Sequence, residues 1–319
     1  MIVLNAQEVE ELLDPDGCRE AMTAAFLALA RGELHQPLRS IVRPEGSTSF
    51  LGLMPSHRGG ERPLYALKTV AVVPDNPSRG LDPHQGTVTL YDGVTGETVA
   101  ALNARPITAI RTAACSAVAT DALARRDARV LALVGAGHQA HAHLGALRRV
   151  RPFERILVAS RTRESAEALA AHGAEVSESV EAAVREADVV ATLTNSAEPV
   201  LRREWLKPGV HVNAVGACLP TVRELDTATV AEAAFFADRR ESAENEAGDY
   251  LIPLREGAVS DGHIRAELGE VLAGTARGRT SEDEMTVFES LGLAVEDLFA
   301  AEYVVRRARE TGRGIDLEF

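Results

Sequence analysis

The segment VLALVGAGHQA at residues 130–140 constrains the fold more than any other part of the chain. Its first five residues are apolar and predict a buried strand, and Gly135, Gly137 and Ala140 follow in a GxGxxA pattern. The first glycine permits a tight turn, the second lets the backbone approach a pyrophosphate, and the small third residue lets the next helix pack closely. Because that helix would present N–H groups and partial positive charge at its start, we predict the phosphate-binding turn of a dinucleotide-binding domain.

The end of the following strand indicates which dinucleotide binds. A domain that prefers NAD places an acidic residue near this point to bond the ribose 2′-hydroxyl. This chain has Ser160, Arg161 and Thr162 instead. An arginine and two hydroxyls suit a 2′-phosphate, so we predict that NADP(H) is preferred over NAD(H). The alternative is that Arg161 is an ordinary surface residue.

Charge and cysteine content exclude several classes of function. The net charge of −13 argues against a general nucleic-acid partner, since an acidic surface repels phosphate backbones. The three cysteines are far apart, so neither a metal site nor a disulfide framework is predicted. The N-terminus lacks the basic residues of a signal peptide, and no apolar run reaches membrane-spanning length. We expect a cytoplasmic protein without a membrane partner.

Two regions differ in the spacing of their apolar residues. Before residue 107, one helical segment at 16–31 precedes short runs that predict a mostly antiparallel sheet, at 38–43, 49–54, 64–73, 86–92 and 98–103. An Ala-rich helix at 107–124 comes next, and from residue 130 apolar strands alternate with helices. The tail at 282–311 has a helical pattern. The predicted fold class is α/β, with a Rossmann-type doubly wound domain covered on both faces and an α+β domain.

Three cations of the first region stand near predicted strand ends or helix starts: Arg39, Lys68 and Arg111. An arginine can hold a carboxylate by two parallel hydrogen bonds. Lys68 lies within the apolar run LYALKTVAVV, where burying an unpaired ammonium is costly. Taken alone, a cation in such a position is more often a structural or surface ion-pair residue than a ligand-binding one.

Motifs along nearly the whole chain resemble those of the ornithine cyclodeaminase/mu-crystallin family, in the same order. They are LGLMPSH (51–57), ALKTVAVVPDN (66–76), PHQGTVTLYDGVTGE (83–97), ITAIRTAACSAVAT (107–120), VGAGHQAHAHL (134–144), SRT (160–162), VNAVGACLPTVRELD (212–226) and FESLGLAVEDL (288–298). The resemblance implies a homodimer with a substrate-binding and dimerisation domain at residues 1–120 plus 291–319. It places the Rossmann NAD(P)-binding domain at residues 121–290.

The resemblance also implies roles for individual residues. Arg39, Lys68 and Arg111 match positions that hold the carboxylate of a small imino- or amino-acid substrate. The matches to cofactor contacts are Thr112, Gly135, Ala136, Gly137, Gln139, Ser160, Arg161 and Thr162, with Thr194, Val215 and Ser290 on the nicotinamide side.

One departure from the family pattern bears on the reaction. Members that cyclise ornithine resemble GGDxPGKxEL, and their Asp is the catalytic acid/base. Here Cys218 stands in that place, and Val222 replaces the Lys. Cysteine carries no fixed negative charge at neutral pH unless its pKa is lowered, so cyclodeamination is disfavoured. We expect Cys218 to line the substrate pocket.

The leading hypothesis is therefore NADPH-dependent reduction of a cyclic imine that bears a carboxylate, such as pyrroline- or piperideine-2-carboxylate. In it, Lys68 and Arg111 are the catalytic candidates, with Lys68 as the proton relay. Three alternatives stay open: an alanine-type amino-acid dehydrogenase, an ornithine cyclodeaminase-like lyase, and a non-catalytic NADPH-binding protein.

Overall fold

A computed structural model describes residues 1–318, with the backbone alone at Pro77. The chain divides into two compact units. Unit 1 comprises Met1–Arg111 with Leu293–Phe319, and unit 2 comprises Thr112–Gly292. Within residues 1–318, no helix combines the length and the apolar composition that crossing a membrane requires.

Unit 1 is an α+β unit built on an eight-stranded sheet of order β16-β1-β7-β6-β5-β4-β2, in which β3 pairs with β4 and β16 is Ile315–Asp316. Four of its strands form an antiparallel meander, β4 to β7, as the short bounded apolar runs predict. The turn at YDGVTGE joins two of them. The first ten elements end with α3, the helix in which unit 1 passes into unit 2. They are β1 (Ile2–Leu4), α1 (Ala6–Leu12), α2 (Pro15–Ala30), β2 (Leu34–His35), β3 (Ser40–Val42), β4 (Phe50–Arg58), β5 (Leu64–Val72), β6 (His84–Asp92), β7 (Thr98–Asn103) and α3 (Ala104–Leu123).

Unit 2 is a doubly wound domain with an eight-stranded parallel sheet of order β10-β9-β8-β11-β12-β15-β13-β14. Its strands are β8 (Val130–Val134), β9 (Arg155–Ala159), β10 (Glu175–Val176), β11 (Val189–Thr192), β12 (His211–Ala214), β13 (Ala234–Ala237), β14 (Ile264–Glu267) and β15 (Thr286–Glu289). Its helices are α4 (His138–Leu147), α5 (Arg163–Ala170), α6 (Val180–Arg185), α7 (Thr227–Glu232), α8 (Arg240–Glu246), α9 (Gly248–Arg255) and α10 (Leu268–Leu272). The Rossmann-type α/β prediction is confirmed.

Both faces of the parallel sheet are buried. Along β8, Leu131 and Leu133 pack into one apolar core, while Ala132 and Val134 pack into another. This alternation follows from the side-chain period of a strand, and it explains why β8 is apolar at every position. The chain runs outward from β8 to β10 and then returns to β11 beside β8, so the strand order reverses between β8 and β11. Dinucleotides bind at such switch points in open α/β sheets.

The helical prediction for 282–311 was wrong in its first part. Thr286–Glu289 is strand β15, which lies in parallel between β12 and β13. The four residues TVFE are all buried and show no alternation of polar and apolar side chains, so periodicity alone cannot distinguish them from helix. The helix, α11, spans Ala294–Thr311, packs against α2 and β5 of unit 1, and is followed by β16 (Ile315–Asp316).

The observed boundaries between the units also differ from the expected ones. The first lies between residues 111 and 112, inside α3, rather than between 120 and 121. Ala113 and Ala117 explain the difference, since both are buried in a core of unit 2 with Leu131 and Leu133. The second boundary follows Gly292 rather than residue 290, because the chain enters α11 only after β15 and a short turn.

Candidate functional site: an ionic cluster in unit 1 and a phosphate turn in unit 2

Lys68 and Arg111 are buried together in unit 1, with exposures of 3% and 4%. Lys68 lies on the inner face of β5, two residues after the buried Ala66. Arg111 lies on α3, one helical turn after Ile107 and Thr108. The Nζ of Lys68 is 3.5 Å from the hydroxyl of Thr108. The strand and the helix thus bring together two cations that are 43 positions apart in sequence.

Two acidic residues of α11 neutralise these cations, and sequence reasoning gave neither a role. Asp297 Oδ2 lies 2.9 Å from Lys68 Nζ, and its Oδ1 accepts a 3.2 Å hydrogen bond from Arg111 Nε. Glu296 Oε2 accepts a 2.7 Å hydrogen bond from Arg111 Nη1. Both carboxylates are buried. Lys68 and Arg111 therefore belong to a buried ion-pair cluster rather than to surface pairs.

Hydrogen bonds to other parts of unit 1 fix the start of α11 and, with it, the two carboxylates. The backbone N–H of Val295 donates to the side-chain oxygen of Gln36 over 2.9 Å. Ser56 on β4 donates to the carbonyl of Ala294 over 3.1 Å. Acidic residues in a first helical turn are also favoured by the positive end of the helix dipole. The two acidic residues are visible in the sequence LGLAVEDL, but there they look like the ordinary first turn of a helix.

Burial and the neighbouring cations set the protonation of Lys68. Burial is the largest effect and, with the charges of Arg111 and Arg39, lowers the pKa of Lys68 to about 8, while Asp297 opposes the shift. Arg39 is half-buried just before β3, close enough to Lys68 for this effect. A lysine with such a pKa exchanges a proton near neutral pH, which makes acid–base work possible.

The glycine turn of unit 2 has the geometry that the sequence predicts. Gly135 follows β8 directly and has a φ of 110°, and an added Cβ would lie 2.6 Å from the carbonyl oxygen of Leu193. Only glycine fits there without displacing the backbone. Gly137 begins helix α4 without a side-chain cap, and the space where its Cβ would stand is open. Ala136 and Ala140 are buried beside the turn.

Buried side-chain oxygens support a polar ligand in unit 2. Among the described residues, the Oε1 of Gln139 and the Oγ of Ser290 are buried and have no hydrogen-bond partner. Buried polar atoms are nearly always paired, so an unpaired one indicates a partner that the protein itself does not supply. Gln139 lies at the start of α4, and Ser290 directly follows β15. The turn and these oxygens together fit a bound dinucleotide.

The remaining predicted cofactor residues occupy strand ends of unit 2 or the first position of that unit. Ser160, Arg161 and Thr162 follow β9, and Arg161 is exposed. Thr194 follows β11, Val215 follows β12, and Thr112 is buried on α3. Cys218 is half-buried, and its thiol donates a 3.4 Å hydrogen bond to the carbonyl of Val215.

Residues 1–312 match the family model described as the ornithine cyclodeaminase/mu-crystallin family. The chain belongs to this family. The family prediction made from the motifs is therefore confirmed, and it covers both units.

Family members of known activity are similar to the chain over almost its full length. Delta(1)-pyrroline-2-carboxylate reductase of Bacillus cereus is 37% identical over 327 residues, covering 100% of both chains. Ketimine reductase mu-crystallin of Mus musculus is 39% identical over 308 residues, covering 94% of this chain and 95% of its own. The solved structure of Thermococcus litoralis Delta(1)-pyrroline-2-carboxylate reductase in complex with NADH and L-proline has a TM-score of 0.95 and 36% identity, covering 99% of this chain and 100% of that one.

Proposed function

We propose that this family member is an NAD(P)H-dependent reductase of a cyclic imine that carries a carboxylate on the imine carbon. The substrate class is that of pyrroline- and piperideine-2-carboxylate, and the product is the cyclic L-amino acid. The observation that carries the proposal is the buried cluster in which Lys68 and Arg111 share the carboxylate of Asp297. The named activities of the pyrroline-2-carboxylate reductase and ketimine reductase relatives support it.

The cations of the cluster suit a substrate with one carboxylate. Lys68 and Arg111 share the carboxylate of Asp297, and Arg39 is near enough to Lys68 for its charge to lower the pKa of that amine. A carboxylate bound beside these cations reduces the cost of keeping their charges away from water. Arginine also offers a donor fork that matches carboxylate geometry.

The chemistry divides between the cofactor and the protein. A bound reduced nicotinamide supplies a hydride to the carbon of the C=N bond. The nitrogen of that bond must carry a proton for the reaction to balance, and Lys68 is the group that we assign to relay it. Arg39 and Arg111 hold the carboxylate and so orient the imine carbon.

Cys218 supports imine reduction over ornithine cyclisation. Its thiol faces the carbonyl of Val215 over 3.4 Å, where the family members that cyclise ornithine have a carboxylate instead. We assign it to the lining of the substrate pocket. Reduction of a protonated imine needs no carboxylate at that position, since the imine is already electrophilic.

We further propose that NADP(H) is preferred over NAD(H). Ser160, Arg161 and Thr162 stand at the end of β9, where an acidic residue would otherwise bond the ribose 2′-hydroxyl. Arg161 is exposed there and can pair with a 2′-phosphate.

A homodimer is the assembly that we propose. The outer face of the unit 1 sheet carries exposed apolar side chains: Leu51 on β4 is 39% exposed, Tyr65 on β5 is 48% exposed, and Val42, which pairs with Leu51 from β3, is 56% exposed. Exposed large apolar side chains on one face of a sheet are typical of a protein interface. Light scattering should give twice the chain mass of 34.0 kDa, and a monomer at micromolar concentration would contradict this assembly.

A substrate panel followed by NADPH absorbance tests the proposed function. Oxidation of NADPH with cyclic ketimines and none with pyruvate plus ammonia is the expected result. NAD(P)⁺ reduction by L-alanine at a higher kcat/KM would instead favour an amino-acid dehydrogenase. Release of ammonia from ornithine without net redox change would favour a lyase, and tight NADPH binding without any turnover would favour a binding protein.

A further inference from the structure

Glu224 lies buried between the loops that follow two neighbouring strands of unit 2. Its Oε1 accepts hydrogen bonds of 2.7 and 2.6 Å from the backbone N–H and the hydroxyl of Thr194. Its Oε2 accepts a 2.7 Å hydrogen bond from the N–H of Gly216. Thr194 follows β11 and Gly216 follows β12. One carboxylate therefore fixes both loops.

The contact at Gly216 is too close for a side chain. A Cβ at Gly216 would lie 2.1 Å from the carbonyl oxygen of Thr194 and 2.6 Å from the Cδ of Glu224. The two loops and the carboxylate are therefore packed directly against one another. A small movement of Glu224 must move Thr194 or Gly216 with it, because interiors packed this densely transmit displacement.

The main chain of Glu224 is itself fixed on both sides. Its N–H, and that of Leu225, donate to Asp249 Oδ1 over 2.9 and 2.8 Å. Its carbonyl accepts from the N–H groups of Val200 and Leu201. The carboxylate thus has a rigid base from which to hold the loops.

Glu224 has no cation to offset its burial. Within residues 1–318, no ion pair includes it, although its exposure is 0%. Burial raises the pKa of Glu224, and the donors from Thr194 and Gly216 act against that effect. A buried carboxylate held by N–H and O–H donors alone is costly for stability, so a gain elsewhere is expected to balance it.

The place of these loops in the sheet indicates what that gain is. The phosphate turn and the Ser160–Thr162 segment follow β8 and β9, on one side of the switch point. Thr194 and Gly216 follow β11 and β12 on the other side. A dinucleotide spans the carboxyl ends of the strands across this point, so its nicotinamide half falls on the β11–β12 side.

We infer that Glu224 is a positioning residue for the nicotinamide half of the cofactor, acting through the Thr194 and Gly216 loops. This inference rests on the dinucleotide binding of the proposed function. It predicts that the carboxylate of Glu224 affects binding of the complete dinucleotide and has no effect on binding of the adenosine half alone.

Glu224→Gln is the test variant. The glutamine oxygen still accepts from Thr194, but the amide NH2 replaces the oxygen that faces the N–H of Gly216, so two donors meet. Asp188→Asn is the matched control. One carboxylate oxygen of Asp188 likewise accepts from two backbone N–H groups, over 2.7 and 2.9 Å, but these lie at the start of β8. The control therefore changes the same kind of acceptor at the amino end of the sheet, away from the carboxyl ends of the strands.

Calorimetry measures the affinity of each protein for a complete dinucleotide and for the matching fragment that lacks the nicotinamide. The first pair of ligands is NADPH and 2′-phospho-ADP-ribose, and the second pair is NADH and ADP-ribose. We expect Glu224→Gln to weaken dinucleotide binding about tenfold or more while affinity for the fragment stays within about twofold. Asp188→Asn should leave both affinities unchanged. Circular dichroism checks that each variant is folded. If Glu224→Gln does not fold, Glu224→Asp replaces it, because aspartate keeps the negative charge on a shorter side chain.

Equal loss of dinucleotide and fragment affinity in Glu224→Gln would overturn the inference, because it would indicate general damage to unit 2. Unchanged affinity of Glu224→Gln for the dinucleotide and for the fragment would overturn it as well. So would a wild-type protein that binds the dinucleotide no more tightly than the fragment. A wild-type protein that binds neither dinucleotide would instead refute the proposed function itself.

Discussion

Asp297 Oδ2 lies 2.9 Å from Lys68 Nζ, and the other oxygen of the same carboxylate accepts a hydrogen bond from Arg111. One aspartate therefore sets the spacing between the two cations that we assign to the substrate. Each cation is already in place before a substrate arrives, so binding does not have to order two long side chains. The cluster combines a structural ion pair with a preorganised carboxylate site.

Asp297→Asn should therefore affect both stability and substrate binding. Removing one partner of a buried ion pair leaves charge uncompensated, at a cost of about 3–5 kcal/mol in the free energy of unfolding. We also expect a higher KM for the imino acid, with no change in dinucleotide affinity. Urea unfolding and steady-state kinetics measure these effects.

Glu302→Gln provides the control for Asp297, since Glu302 lies on the same helix and pairs with Arg58. Its side chain is 40% exposed, so losing this pair should cost less than about 1 kcal/mol and leave KM unchanged. Similar effects of the two substitutions would show that Asp297 has no special role in the cluster.

The pH dependence of reduction should report the protonation of Lys68, whose pKa burial lowers to about 8. The reaction consumes a proton, and the charged form of Lys68 prevails below this pKa. The kcat of imine reduction should therefore fall by about tenfold per pH unit above pH 8, while amino-acid oxidation, which needs the neutral amine, should rise through the same range.

Asp297→Asn adds a second check on this assignment. Loss of the carboxylate removes the interaction that supports the charged lysine, so the alkaline limb should move to lower pH. If the alkaline fall in kcat occurs at the same pH in this variant, the titration belongs to another group, such as the imine itself.

Arg161→Asp should weaken NADPH binding far more than NADH binding, because only NADPH carries the 2′-phosphate that we assign to Arg161. Arg163→Asp makes the same change of charge two residues later, at the first position of α5, where Arg163 pairs with the exposed Glu167. Fluorescence titration with both cofactors compares the variants. If Arg161→Asp weakens both cofactors equally, the preference for NADP(H) has a different origin.

Gly135→Ala should abolish dinucleotide binding and destabilise unit 2. The φ of 110° is unfavourable for alanine, at a cost of about 1–3 kcal/mol, and the new Cβ would press on the carbonyl of Leu193. Gly145→Ala on α4 is the control, because nothing lies within 4 Å of its added Cβ. Alanine in an exposed helix should raise stability by about 0.5–1 kcal/mol there and leave binding intact. A Gly135→Ala protein that still binds NADPH normally would contradict the assigned turn.

Local patterns in the sequence were sufficient for the parts of the fold with strong periodicity or unusual backbone. The turn at Gly135 could be predicted because strand, glycines and helix are adjacent in sequence. Strand β15 could not, since TVFE is buried on both faces and shows no alternation. The motif resemblance gave Lys68 and Arg111, which no local pattern distinguishes from ordinary ion-pair residues.

The buried acids were beyond sequence reasoning for a different reason. Glu296 and Asp297 look like a favourable first turn of a helix, and only the packing of α11 against β5 brings them to Lys68 and Arg111. Glu224 likewise stands in a recognisable motif, but its partners Thr194 and Gly216 are 30 and 8 positions away. Contacts between distant segments set the burial of all three.

Transfer of deuterium from the cofactor to the substrate tests the central claim most directly. Incubation of the protein with Δ1-pyrroline-2-carboxylate and NADPH that carries two deuterium atoms at C4 should give L-proline with one deuterium at C2, about 1 Da heavier than the product formed with ordinary NADPH. Mass spectrometry detects this difference. Proline without deuterium, or no proline while the protein binds NADPH and is folded, would contradict the account of this chain as an imine reductase.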